Sequence, residues 1–149
     1  MKIIFVENQR FTQWWLWVIL ISFPIMAFGP FDDKSINYNH LLIGFALPVI
    51  FYLFQLRIKV SSEGLHYQFF PFHLKYHMIK SEEIKKVESI KYKPLAEYGG
   101  WGIKYGFKGK AYNTSGNLGV KVYLRNGTNI LFGSQKHKDL EKALKKIKK

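Results

Sequence analysis

Two uncharged runs dominate the first third of the chain. Phe11 to Phe31 carries no charge over 21 positions, and Ser35 to Leu56 carries none over 22. Only Asp32, Asp33 and Lys34 separate them. A helix needs about 20 apolar residues to cross a bilayer core. The pattern therefore predicts a two-helix transmembrane hairpin anchor over residues 1–56. Trp14, Trp15 and Trp17 gather at the start of the first run, where an interfacial aromatic belt would place them. A signal peptide fits less well. The run is long and aromatic, no small-x-small cleavage site follows it, and a second run comes at once.

From Leu56 the period changes. Leu56-Arg57-Ile58-Lys59-Val60 alternates apolar and basic, as a half-buried strand does. Ser61 to Gly64 has turn chemistry. Further strands are predicted over Leu65 to Phe70, Phe72 to Met78, Val87 to Tyr92, Gly102 to Phe107, Lys110 to Tyr112, Gly119 to Leu124 and Thr128 to Gly133. Asn126-Gly127 between the last two is a strong hairpin signal, because both residues accept positive φ. The chain ends in a helix predicted over Lys138 to Lys148, with Leu140, Leu144 and Ile147 on one face and lysine on the other.

Charge is as unevenly placed as hydrophobicity. The formal net charge is +13. Arg57 to Lys149 holds 20 Lys and Arg against 7 Asp and Glu, whereas Met1 to Leu56 holds 3 of each. Lys2 and Arg10 flank the first run and Arg57 and Lys59 follow the second, so the positive-inside rule places both termini in the cytoplasm. The expected location is the inner membrane, multi-pass. The chain has no cysteine, which excludes disulfides, thiolate nucleophiles and Cys-ligated zinc.

Candidate chemistry is sparse. His73 and His77 would lie roughly 13 Å apart on a strand at about 3.3 Å per residue, too far to share a metal ion. Glu82 and Glu83 are adjacent and would point in different directions. The run Gly99 to Gly106 departs from both the dinucleotide and P-loop spacings. Its reading is a tight turn or bulge, with Tyr98, Gly99, Gly100, Trp101 and Gly102 as a candidate partner or interface loop. Lys142, Lys145, Lys146, Lys148 and Lys149 form a candidate contact for anionic lipid headgroups. No catalytic residue, metal site or cofactor is expected.

The uncharged hairpin, the stretch Tyr98-Gly99-Gly100-Trp101-Gly102-Ile103, the Gly119 to Leu124 segment with its Asn126-Gly127 turn, and Ile130 to Gln135 leading into the last helix carry a resemblance. Together they resemble bacterial membrane proteins in which two transmembrane helices precede a pleckstrin-homology-like (PH-like) domain. The resemblance implies about seven antiparallel strands over residues 57–149, closed by one C-terminal helix. It also implies an integral membrane protein without an enzymatic site.

The function expected from these readings is binding or scaffolding, through a protein partner or the anionic lipid surface. A membrane-tethered nucleic-acid-binding domain is the alternative suggested by the basic tail, weakened by dispersed lysines and the lack of a recognition helix. A membrane enzyme ranks lower, because no nucleophile, base and metal constellation passes the spacing test.

Overall fold

The computed structural model describes residues 2–27 and 38–148. The chain forms two compact units, one from Met1–Arg10 with Gln55–Lys149 and the other from Phe11–Phe54. The first is an α+β unit with a four-stranded and a five-stranded sheet. The division differs from the expected boundary at residue 56, because the first ten residues belong with the β-rich unit.

The opening segment is a strand, β1 (Ile3–Arg10), and not a leader to a helix. It pairs antiparallel with β2 (Gln55–Ser61), from Ile3 opposite Ser61 to Arg10 opposite Gln55. The chain leaves β1 at Arg10 and re-enters the same sheet directly opposite. In topology, the helical unit is an insertion between two neighbouring strands. The strands β3 (Gly64–Phe70) and β4 (His77–Lys80) complete an antiparallel meander. Leu56, Ile58 and Val60 of β2 are buried while Arg57 and Lys59 are not, as the alternation predicts.

After a 3-10 turn at Ser81–Glu83, β5 (Ile84–Lys91) begins the second sheet. A short helix, α3 (Pro94–Tyr98), leads into the hairpin β6 (Gly102–Gly106) and β7 (Gly109–Asn113). The strands β8 (Leu118–Leu124) and β9 (Asn129–Gly133) follow. Their order is β5-β8-β9-β7-β6. Where about seven antiparallel strands were expected over residues 57–149, the structure has eight, β2 to β9, and β1 from the start of the chain joins them as a ninth among the described residues. One pair, β7 with β9, is parallel. Residues 125–128 connect β8 to β9, with Leu124 N–H donating to Thr128 O and Gly127 at φ +88°.

The final helix, α4 (His137–Ile147), buries Leu140, Ala143, Leu144 and Ile147. Full burial of one such aliphatic side chain stabilises by about 1.5–3 kcal/mol. Between the two sheets, Tyr67, Tyr112 and Phe132 meet with ring centroids 5.0–5.7 Å apart.

The inserted unit holds α1 (Trp14–Ala27) and α2 (Tyr38–Leu53), 14 and 16 residues long. At 1.5 Å per residue these span about 21 and 24 Å, short of a bilayer core of about 30 Å. No helix among the described residues is long and apolar enough to cross a membrane. The expected pair of transmembrane spans is thereby corrected, and the multi-pass inner-membrane location and its orientation fall with it. The physical reason lies at the flanks. The first run gives its leading residues 11–13 to the connection between β1 and α1, and the second run's helix ends at Leu53, before Gln55 enters β2. The charged residues 32–34 lie outside the described residues.

The helices pack on each other. Phe11, Phe51 and Phe54 form an aromatic cluster with centroids 5.3–6.0 Å apart. Trp17 Nε1 donates to Phe11 O at 2.9 Å, so one of the three tryptophans expected in an interfacial belt serves a local turn.

Candidate binding surface

The lysines of α4 are dispersed in their duties. Lys145 pairs with Glu141 at 2.8 Å, one helical turn back. That bond holds the Glu141 carboxyl below its ordinary value. Lys148 Nζ donates to Lys85 O at 3.1 Å. Lys142 and Lys146 are exposed. Lys149 lies outside the described residues. Two of the five predicted headgroup contacts thus make an intramolecular contact while remaining exposed.

The loop from Tyr98 to Gly102 is folded onto the β unit. Tyr98 is buried beside Tyr92, Ala111 and Leu131. Burial pushes its phenol up from the ordinary value. Gly99 caps α3 in the left-handed region at φ +72°, and Gly100 and Gly102 also have positive φ. Trp101 Nε1 donates to Gly116 O at 2.9 Å, and Gly102 N–H donates to Asn113 Oδ1. This ties down the segment that the sequence suggested as an interface loop.

The loop next to it is different. The β6–β7 hairpin turns through Phe107 and Lys108, flanked by the paired glycines Gly106 and Gly109. Phe107 is fully exposed at the tip, and Tyr105 is largely exposed. Two features position the turn. A side chain at Gly106 would strike the carbonyl oxygen of Glu97 on α3. Lys108 also pairs with Glu97 at 3.3 Å. On one side of the hairpin lies an open depression of about 700 Å³, whose lining includes Tyr105, Phe107, Lys108, Lys110 and Lys121. Lys110 Nζ sits 5.1 Å from the centroid of the Tyr105 ring and 4.9 Å from that of Tyr112, within cation–π range. The sequence reading found both strands but missed the tip. Its signal was an aromatic at a turn position where polar residues are the rule.

The two histidines are not separated by a strand's length. Residues 71–76 form a turn instead of the predicted strand, and the rings of His73 and His77 lie 4.3 Å apart, centroid to centroid. His73 Nδ1 accepts a hydrogen bond from Phe69 N–H at 3.3 Å. His77 stacks on Tyr67 at 5.5 Å, and His73 meets Tyr112 edge-on at 5.6 Å. Burial lowers the His73 value, and the neighbouring His77 and Lys110 charges lower it further. Burial pushes Tyr67 up to about 12.

The chain matches no protein family, no curated protein and no solved structure. The resemblance to anchored PH-like membrane proteins, in which the helices lead the chain, is corrected on two findings. No family matches, and a paired strand precedes the helices.

Two serine–histidine pairs have nucleophile–base chemistry in form. Ser89 Oγ lies 2.6 Å from His137 Nδ1, and Ser61 Oγ lies 3.0 Å from His66 Nε2. The first links β5 to the start of α4. The second spans the β2–β3 turn, where Ser61 Oγ also accepts from Glu63 N–H. Neither pair lines the depression beside the hairpin. Among the described residues, no group of three or more His, Cys, Asp or Glu side chains is placed to hold a metal ion.

Proposed function

We propose that the β-rich unit is a non-catalytic binding module that engages an anionic lipid surface through the β6–β7 hairpin. The observation that carries this reading is Phe107, fully exposed at a positioned tip, with Lys108 next to it and Lys110 and Lys121 in the adjoining depression. An aromatic ring presented at a loop tip gains by entering an apolar boundary, while lysines beside it gain about 1 kcal/mol each near an anionic headgroup layer. Dispersed lysines suit a fluid array of charges better than the regular phosphate spacing of a nucleic acid. This reading concerns contact with a surface and requires no helix that crosses it.

The same reading takes the unit to follow a PH-like plan with two insertions. The meander β1 to β4, the antiparallel set β5, β8 and β9, and the closing helix α4 supply the plan. The helices α1 and α2 enter between the first two strands. The segment α3-β6-β7 enters between β5 and β8, and it brings the proposed contact with it.

Co-sedimentation of the full chain with phosphatidylcholine vesicles, with and without phosphatidylglycerol, tests the proposal across a salt series. Binding should need the anionic lipid and fade with salt. Phe107→Ser and the Lys108→Glu/Lys110→Glu pair should each weaken it by about ten-fold or more. Equal binding to neutral vesicles, or binding indifferent to both changes, would sink the idea.

A further inference from the structure

We infer that anion binding at Lys110 is coupled to proton uptake by His73, where it packs against His77, so that the hairpin surface grips anions more tightly as pH falls. The inference rests on the surface proposed above and adds its regulation. Three groups that carry or can acquire positive charge converge here from different elements. His73 lies in the turn after β3, His77 opens β4, and Lys110 lies on β7. The imidazole rings touch at 4.3 Å, and Tyr112 bridges the remaining distance, with His73 on its edge and Lys110 over its ring. The titratable neighbours of His73 are Tyr67 on β3, His77 on β4, and Lys110 and Tyr112 on β7. No carboxylate is among the groups that shift it. Lys59, on β2, lies over Tyr76 of the same turn, 4.6 Å from the ring centroid, and adds another cation nearby.

The site is therefore short of negative charge. In the unbound protein, Lys110 and His77 oppose protonation of His73. An anion seated at Lys110 offsets that opposition and favours the imidazolium. Reciprocity then requires each proton taken up to tighten the anion. The proton has an opposing local cost. It removes the acceptor that Phe69 N–H uses, so the turn that carries Phe72 and Leu74 loosens as His73 charges.

The test uses the full chain with phosphatidylglycerol vesicles at fixed salt, from pH 7.5 to 5.5. Wild type should bind about five-fold tighter, or more, at the lower pH, which corresponds to one added cation near the surface. The His73→Gln/His77→Gln variant should bind with little change over the same range. The remaining histidines are thereby controlled for. Tightening that persists undiminished in the double variant, or no tightening in wild type, would overturn the coupling while leaving the surface proposal intact. A second measurement follows the imidazole resonances of His73 by NMR, with and without inorganic phosphate. Its titration should move upward with phosphate, and should not in Lys110→Gln. An upward shift without vesicle binding would uphold the coupling and defeat the lipid reading. No shift would defeat the coupling.

Discussion

The Glu7 carboxylate accepts a hydrogen bond from Ser134 Oγ at 2.5 Å across 127 residues of sequence. Its other oxygen accepts from the backbone N–H groups of Gln135 and Lys136 at 3.1 and 3.3 Å. Glu7 is buried on β1 and thus holds the segment that launches α4. Gln9, two residues on and on the same face, donates to Gly133 O at 2.7 Å. The first strand and the last helix are stitched together by polar side chains. A hydrogen bond to a charged group contributes about 1.5–3 kcal/mol net, and a buried donor left unpaired costs about 1–3 kcal/mol. Glu7→Ala should therefore destabilise by about 3 kcal/mol, and Glu7→Gln, which keeps an acceptor, by about half as much. Urea denaturation of both variants measures the difference. Equal losses would mean that the charge alone matters at this position and that a neutral acceptor of the same shape recovers nothing.

That stitching also explains what the sequence concealed. In β2, burial follows hydrophobicity, so Leu56, Ile58 and Val60 announce the strand. In β1 the rule is inverted, since Glu7 and Gln9 are buried while Ile3 and Val6 are exposed. A pattern read for apolar alternation passes over such a strand, and the helices behind it then look like the head of the chain. The region 72–78 failed for the opposite reason. It alternates well, but β4 pairs with β3 only from Tyr67–His77 to Gly64–Lys80. Beyond that point, His73 Nδ1 takes the Phe69 N–H and His73 N–H takes the Phe69 carbonyl, a local substitute for a ladder. The parallel β7–β9 pairing joins strands that are not neighbours in sequence and leaves no local signal. The α4 helix and the Asn126-Gly127 turn were legible because each is specified by residues within one short window. The lysines of α4 were equally visible, but which of them make an intramolecular contact depends on Glu141 and a strand carbonyl.

Gly109 decides whether the hairpin that carries Phe107 can form. It has φ +111°, and a side chain there would collide with Asn129 Oδ1 on the neighbouring β9. Gly109→Val should strain the turn and push β7 from β9, at a cost of about 1–3 kcal/mol. Amide hydrogen exchange should show faster opening across 102–113 than in wild type, with α4 unaffected. Protection unchanged in the hairpin would refute the assignment.

Two buried phenols predict an alkaline transition. Burial pushes Tyr67 and Tyr92 up to about 12, and at Tyr92 a hydrogen bond from Asn113 Nδ2 partly offsets the rise. In the unfolded chain both ionise near 10. Between about 10 and 12 the unfolded state therefore loses protons that the folded state keeps, and stability falls as pH rises. Below 10 neither phenol contributes a slope. Tyrosinate absorbance and far-UV circular dichroism, followed together, should change in one cooperative step. Tyr92→Phe should shift that step to higher pH, although it costs the Asn113 contact. Independent, gradual ionisation with the fold intact would contradict the burial of both groups.

The inserted helical unit makes a separate prediction, because its two helices meet where one has no side chain. A Cβ on Gly44 of α2 would lie 3.0 Å from both the Cα and the backbone nitrogen of Pro24 on α1. These are backbone atoms inside a helix, so they cannot swing aside. Pro24 is itself buried, and Leu20, one turn earlier, is buried as well. Gly44→Ala should force the helices apart by a few tenths of an ångström. Gly44→Leu should separate them and cost about 1–3 kcal/mol of packing. Trp14, Trp15 and Trp17 all lie on α1, so tryptophan fluorescence during thermal melting should report an earlier transition for Gly44→Leu, with Gly44→Ala between it and wild type. The β-rich unit lies outside this contact, and exchange protection in β8 and β9 should not change. A melt of Gly44→Leu that coincides with wild type would show that α1 and α2 do not depend on their close approach.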